Sequence, residues 1–454
     1  MGLLIKTAMG CAVIIAGIAV AVPTIYKTKI NEIIAQEEEK LQREGAIVEL
    51  KEDNDDFFNV KREYYVVIKD SSYILNKTGM ISTVPEFGNI KKHLDETRFL
   101  LSVNLPKYPA VQTGAVKVSL DEFSPEIKNN LEKEKVGRKF ITFVKNRGLL
   151  VSLDFEGYKL KQAILKDINL SLKDENSQLI QKTKNFTVKL EGDDKYKINM
   201  NDFDISVSDK ENKFAFGIKS YQHEISKKDD LNANENIEIK NIIFKLSNDK
   251  NSAQNLKFEL SDISSTSNIF TKKENVGAVS NMNVKKIIFN TFADTLEIGN
   301  FDSTISLKEL NKELITDIYA AIQTGGMMDQ AVVNEYAQEL LSNGFKFNLE
   351  KFQIDYAKIN LLNNKFDTGK IALQSNVTLL QNDIDINKRP MMDFLSVLTS
   401  SLNVQLSKDD ITLIMNQFRL PPAFIQFVKI ENNNAKIDAE FKNKELYVNS
   451  RRVL

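Results

Sequence analysis

The chain has 454 residues, with 61 lysines and arginines against 62 aspartates and glutamates, two histidines, one cysteine and no tryptophan. The balanced charge argues against nucleic acid as a partner, and a lone cysteine excludes a disulfide framework and a cysteine-ligated zinc. With 42% hydrophobic residues, the chain can bury real cores, and its length suggests two or three domains.

From Thr7 to Tyr26 the sequence runs without a charge, then turns lastingly polar at Lys27. As a helix this stretch would span about 30 Å, the thickness of a bilayer's hydrocarbon layer. Thr7, Ala8, Val13, Ile14, Ile15, Ile18, Val20, Val22, Ile25 and Tyr26 are the anchor residues of this predicted transmembrane helix. Lys6 is nearly balanced by Lys27 and Lys29, so charge does not orient the span. A short leader cannot hold a folded domain, and this favours an uncleaved signal-anchor with the body outside the cytoplasm. Ala19-Val20-Ala21 resembles a signal-peptidase site, and cleavage there would release a soluble product. Cys11 follows Gly10 as in a lipoprotein, yet most of the apolar run lies after it, so a membrane-buried thiol is favoured.

Ile30 to Glu44 reads as a charged helix ended by Gly45, and Glu49 to Asp56 as an acidic connector. Tyr64, Val66 and Ile68 then begin a strand pattern within Phe57 to Lys69. From about Leu149 to Leu307 apolar and polar residues alternate, the period of a strand with one face buried. Phe186, Val188 and Leu190 alternate, as do Tyr196, Ile198 and Met200; Phe203, Ile205 and Val207; and Phe214, Phe216 and Ile218. Ile237 to Leu246 and Leu256 to Leu260 continue the habit. Helical spacing returns over Leu307 to Ser342, divided at Gly325-Gly326, over Arg389 to Ser401, and over Ile411 to Phe418. The predicted fold is α+β and β-rich: the transmembrane helix, then long antiparallel sheets of amphipathic strands with a few covering helices. The expected divisions are an anchor over 1–29, a connector over 30–56, a β-rich region over 57–306 and an α+β region over 307–454. Leu340 to Leu349, Val397 to Leu406 and Phe143 to Leu153 share a helix-to-strand pattern that suggests a repeated module.

No phosphate-binding glycine loop, nucleophile elbow or HExxH helix occurs in the sequence. His93 and His223 lie in no triad or metal pattern, and both read as structural. Asp202 with Asp204, and Asp383 with Asp385 and Asn387, would each share a strand face, but the glycine-bearing calcium loop is missing, so solvated faces are favoured over a metal site. The expectation is no catalytic residue, no metal and no cofactor. The alternating apolar face is the more informative signal. It is either covered by the chain's own helices or left open for acyl chains, and Phe214, Phe216, Phe345, Phe347 and Leu349 are the candidate hydrophobic ligand face.

The order of parts resembles the YdgA-like family of bacterial envelope proteins. The carriers are the anchor with Ile30-Asn-Glu-Ile-Ile34, Phe345-Lys-Phe-Asn-Leu349, Leu402-Asn-Val-Gln-Leu406 and the closing Phe441 to Asn449, where Asn443-Lys444 stands in place of a turn glycine. The resemblance implies a single-pass inner-membrane protein with its bulk in the periplasm and no catalytic residue to carry over. A more distant architectural likeness to AsmA-like envelope proteins suggests lipid handling. The expected function is therefore non-enzymatic, with the bilayer as one partner and a lipid or an envelope protein as the other. A structural or regulatory interaction module is the alternative, and an enzyme using acidic residues is third.

Overall fold

The computed structural model describes residues 39, 41–42, 45–72, 87–106, 113–133, 135–157, 159–173, 175, 177–192, 194–229, 231–324, 330–361, 364–384, 395–417, 426–431 and 434–453. Among these no helix is long and apolar enough to cross a membrane. The anchor residues Thr7 to Tyr26, and nearly all of the expected helix over Ile30 to Glu44, lie outside the described residues. Contacts divide the chain into two compact units, one of Met1–Gln222 with Leu246–Lys250, the other of His223–Lys245 with Asn251–Leu454.

In the first unit β1 (Ala46–Asp53), β2 (Asn59–Ile68), β3 (Arg98–Pro106), β4 (Thr113–Glu122), β5 (Leu150–Glu156) and β6 (Lys159–Leu165) pair antiparallel in that order. β7 (Ile168–Lys173), β8 (Ser177–Lys184), β9 (Phe186–Leu190) and β10 (Lys195–Asp209) extend the sheet. β8 and β9 lie end to end along β10, broken at Asn185, whose φ is +53°, and pair on their other side with β7 and β6. Thus the acidic segment expected to be a connector is in large part β1, whose charged residues suit a strand that, among the described residues, pairs with β2 alone. The two alternating runs from Tyr196 to Val207 form one strand, β10, rather than two.

Among the described residues the helices of this unit are α1 (Phe87–Leu94), α2 (Pro125–Glu132) and α3 (Lys135–Lys145). Ser124 caps α2 by accepting from the Ile127 amide, and Pro125 opens it where no donor is needed. Val136, Phe140 and Val144 recur at four-residue steps on α3 and are buried, in one core with Val116 and Leu120 of β4 and Val151, Leu153 and Phe155 of β5. Gly137 permits the tight turn between the two helices, because a Cβ there would meet the Leu131 carbonyl oxygen at 2.0 Å.

Two long strands, β11 (Asn212–Asp229) and β12 (Asn232–Asn248), carry residues of both units. The second unit continues through β13 (Leu256–Lys272), β14 (Asn275–Thr291) and β15 (Thr295–Asn311), each 17 residues and so about 57 Å long. The expected boundary at 306 falls inside β15, and the first five residues of the helix expected from Leu307 are strand. Asn311 caps α4 (Lys312–Thr324) by accepting from the Leu314 amide at 3.0 Å. α5 (Gln330–Asn343) follows and ends at Gly344, whose φ is +74°. A Cβ at Gly344 would lie 2.5 Å from the Leu379 carbonyl oxygen.

β16 (Phe345–Ile354) pairs with the upper half of β15, while β17 (Tyr356–Leu361) and β18 (Asn364–Thr368) form a hairpin whose β17 pairs with the lower half. β19 (Ile371–Leu379) returns along β16 and β20 (Leu398–Ser407) along β19. The helix expected over Arg389 to Ser401 is a correction: residues 395–397 are helical, but β20 already starts at Leu398. Leu398, Ser400, Leu402 and Val404 alternate, and pairing with β19 settles the period. Ser407 caps α6 (Lys408–Gln417), its Oγ accepting from the Asp410 amide at 3.0 Å. β21 (Lys429–Glu431), β22 (Asn434–Lys442), β23 (Glu445–Val448) and β24 (Arg451–Arg452) complete the sheet.

The β22–β23 turn is formed by Asn443 and Lys444. Asn443 and Lys444 have φ of +54° and +64°, the left-handed pair of a type I′ hairpin turn. A lysine there costs about 1 kcal/mol relative to glycine. Lys444→Gly is therefore expected to stabilise the protein by about 1 kcal/mol, read from the midpoint of urea unfolding; a lower midpoint would contradict this account of the turn.

Candidate functional site

Cross-strand partners in an antiparallel sheet project to the same side, so register reads out the composition of each face. In the second unit one row runs Ile269, Ala278, Leu307, Phe347, Val377, Ser400, Phe441 and Leu446, crossing eight strands from β13 to β23. A neighbouring row on the same face runs Ile305, Leu349, Ser375, Leu402, Ala439 and Val448. Beyond it lie Met282, Ser303, Phe352, Leu373, Val404 and Ile437. A bulge in β16 between Leu349 and Phe352 keeps both side chains on this face.

Helices cover the ends of this face. Ile411 of α6 is buried with Leu406 and Ala435, with Val404 and Ile437 packed against them. The α4–α5 hairpin packs against β14 and β15, near buried Val276, Leu310 and Leu314. Between these ends Ile269, Met282, Ile305, Phe347 and Leu402 remain 36–39% exposed. Large apolar side chains in contiguous rows, left wet on a folded sheet, mark a contact surface.

The five residues that alternation grouped as one ligand face divide between the units. Phe345, Phe347 and Leu349 lie on this face of β16. Phe214 and Phe216 belong to the first unit, where they are partly buried against its core, and the Phe216 ring meets that of Phe203 edge-on at 6.1 Å. Burial within their own unit removes them from the candidate face. Sequence reasoning missed Ile269, Met282, Ile305 and Leu402. Ile305 and Leu307 do alternate, but the strand was expected to end there, and Leu402 followed a segment read with helical period.

One of the two carboxylate pairs serves local structure. Asp202 and Asp204 of β10 both hold Lys219 Nζ of β11, at 3.0 and 2.6 Å. Its bonds to Asp204 and then Asp202 push the Lys219 ammonium above its ordinary value, and among the described residues no group of three or more metal-ligating side chains occurs. Asp383 lies in the segment after β19, while Asp385 and Asn387 lie outside the described residues. His223 Nε2 is 2.6 Å from Glu235 Oε1, across β11 and β12. No protein-family model, curated protein or solved structure matches the chain.

Glu350, in the β16 bulge, ties the neighbouring strand in place: it accepts from Ser306 Oγ at 2.7 Å and Lys308 Nζ at 2.9 Å. The Lys308 bond, followed by that of Ser306, holds its carboxyl below the ordinary glutamate value. The stability it contributes is complete above that ordinary value and is lost as pH falls through the lowered one. Lys308→Met is expected to move the Glu350 titration up toward an ordinary glutamate, followed by carbon-13 NMR of its carboxylate. An unchanged titration would contradict the assignment of Lys308 as its principal partner.

Proposed function

We propose that this is a non-enzymatic, membrane-anchored protein of the bacterial envelope whose second unit holds a lipid or another hydrophobic ligand against the apolar face of its sheet. The observation that carries this reading is the run of in-register apolar rows left more than a third exposed at Ile269, Met282, Ile305, Phe347 and Leu402. Eight strands at about 4.8 Å spacing give the longest row a reach of roughly 34 Å, about twice the depth of one leaflet's acyl region. Completing the burial of five such side chains is worth about 3–5 kcal/mol. That alone gives roughly millimolar affinity, so a tighter ligand also contacts their half-buried neighbours Leu349, Val377 and Phe441.

The envelope reading rests on the uncharged stretch from Thr7 to Tyr26 and on the order of parts shared with the YdgA-like family. One feature favours a second reading: helices already cover both ends of the apolar face, so an amphipathic helix of an envelope partner would fit the gap between them.

Photocrosslinking in cells separates the two. A photoreactive residue at position 347 or 402 is expected to yield an adduct of lipid mass, with none from position 376 on the opposite face. Phe347→Ser with Leu402→Ser is expected to cut the adduct from position 282 by about tenfold or more. A protein-sized adduct would favour the partner reading, and the absence of any adduct at 347 and 402 would contradict both. The topology has its own test. Protease added to spheroplasts is expected to degrade the carboxyl-terminal body while cytosolic markers survive; a body as resistant as those markers would overturn the assigned side of the membrane.

A further inference from the structure

The other face of the same sheet carries a polar concavity of about 810 Å³, bounded by β16, β19, β20, β22 and β23. Asn348, Asn376, Ser401, Glu440 and Tyr447 form one row across these strands, and Gln374, Asn403 and Asp438 the next row on that side. Both rows line the concavity, and Leu349, Ser375, Leu402 and Ala439, which alternate with them along the strands, border it as well, whereas the next apolar row of Phe347, Val377 and Phe441 does not. It therefore opens on the polar side, and its volume lies within the roughly 300–1,000 Å³ of small-ligand sites. We infer that this concavity binds a short, uncharged oligosaccharide through its two polar rows, a reading that does not rest on the lipid reading.

Charge selects the ligand class. Four carboxylates line the concavity, and three are already held by cations: Glu350 by Lys308 at 2.9 Å, Asp438 by Lys436 at 3.0 Å and Glu445 by Arg452 at 3.0 Å. Among the described residues Lys442, in the β22–β23 hairpin, is the only basic one of the lining. Among the described residues there is no arginine fork for a phosphate and no concentrated negative field for a cation. What the rows offer instead is a set of amides and hydroxyls with fixed orientation. Gln374 Nε2 donates to the Glu350 carbonyl oxygen at 3.0 Å, leaving its Oε1 as an acceptor. Asn376 Oδ1 accepts from Thr378 Oγ1 at 3.3 Å, leaving its NH₂ group as a donor. Asn403 donates to Asp438 and accepts from Gln405, so its plane is set before any ligand arrives. Alternating donors and acceptors match the hydroxyls of a sugar. The half-buried Tyr447 ring, tethered through its hydroxyl to Glu445, adds an amphipathic plate for sugar C–H groups.

The test uses the full chain in phosphatidylcholine nanodiscs, free of glycoside detergent, titrated with maltotetraose, cellotetraose and tetra-N-acetylchitotetraose by calorimetry. At least one is expected to bind with Kd below about 1 mM, and Tyr447→Ala and the surface variant Glu440→Ala are each expected to weaken it about tenfold. Phe347→Ser, on the opposite face, is expected to leave this affinity unchanged, so the site stands even if the apolar face binds no lipid. The inference is overturned if none of the three binds below about 1 mM, if binding is indifferent to both Tyr447→Ala and Glu440→Ala, or if glucose 6-phosphate binds more tightly than the neutral probes.

Discussion

Strand register is the constraint on which the second unit depends. Side chains alternate sides with a period of two, and each antiparallel pairing carries that alternation to the next strand. From β13 to β23 the registers agree, so residues far apart in sequence, such as Ile269, Phe347 and Phe441, fall into one row. A slip of one residue in any pairing would exchange the apolar and polar faces beyond it. The β16 bulge and the hydrogen bonds of Glu350 to Ser306 and Lys308 hold the register at the central pairing. The two left-handed residues of the β22–β23 turn hold it near the margin of the sheet.

The two units use the same strand grammar differently. In the first, α2 and α3 lie on the sheet, and Phe155, Val144 and Leu131 are almost wholly buried in a single core. In the second, the buried cluster around Leu406, Ile411 and Ala435 is small, and the middle of the sheet is accessible on both sides, as Leu402 and Ser401 show at neighbouring positions. Such a sheet draws its stability from ladder hydrogen bonds and cross-strand pairs more than from a thick core. It also exposes two chemically distinct faces, one apolar and one rich in amides and hydroxyls.

Much of the strand content was legible because alternation is a local signal. Phe186 to Leu190, Phe214 to Ile218 and Phe345 to Leu349 are strands, and the helical spacing divided at Gly325-Gly326 corresponds to α4 and α5. The misreadings share a cause, namely that pairing is not local. β1 reads as a linker because its acidic residues suit an edge, and only its register with β2 makes it a strand. The start of β20 reads as helix because the preceding residues have helical spacing, and β19 overrides it. The candidate face was legible only along individual strands. Alternation shows that Phe214 and Phe347 each sit on an apolar side, but only the tertiary pairing sends one into a core and leaves the other in water.

The central claim is that the apolar rows of the second unit are open to solvent in the folded, ligand-free protein. Maleimide labelling of Phe347→Cys, Asn376→Cys and Phe155→Cys, each in a Cys11→Ser background, measures this directly. Positions 347 and 376, on opposite faces of the sheet, are predicted to react at comparable rates, while position 155 stays protected in its core. Protection at 347 as strong as at 155 would mean that the face is covered by the chain itself, and the account of a contact surface would fail.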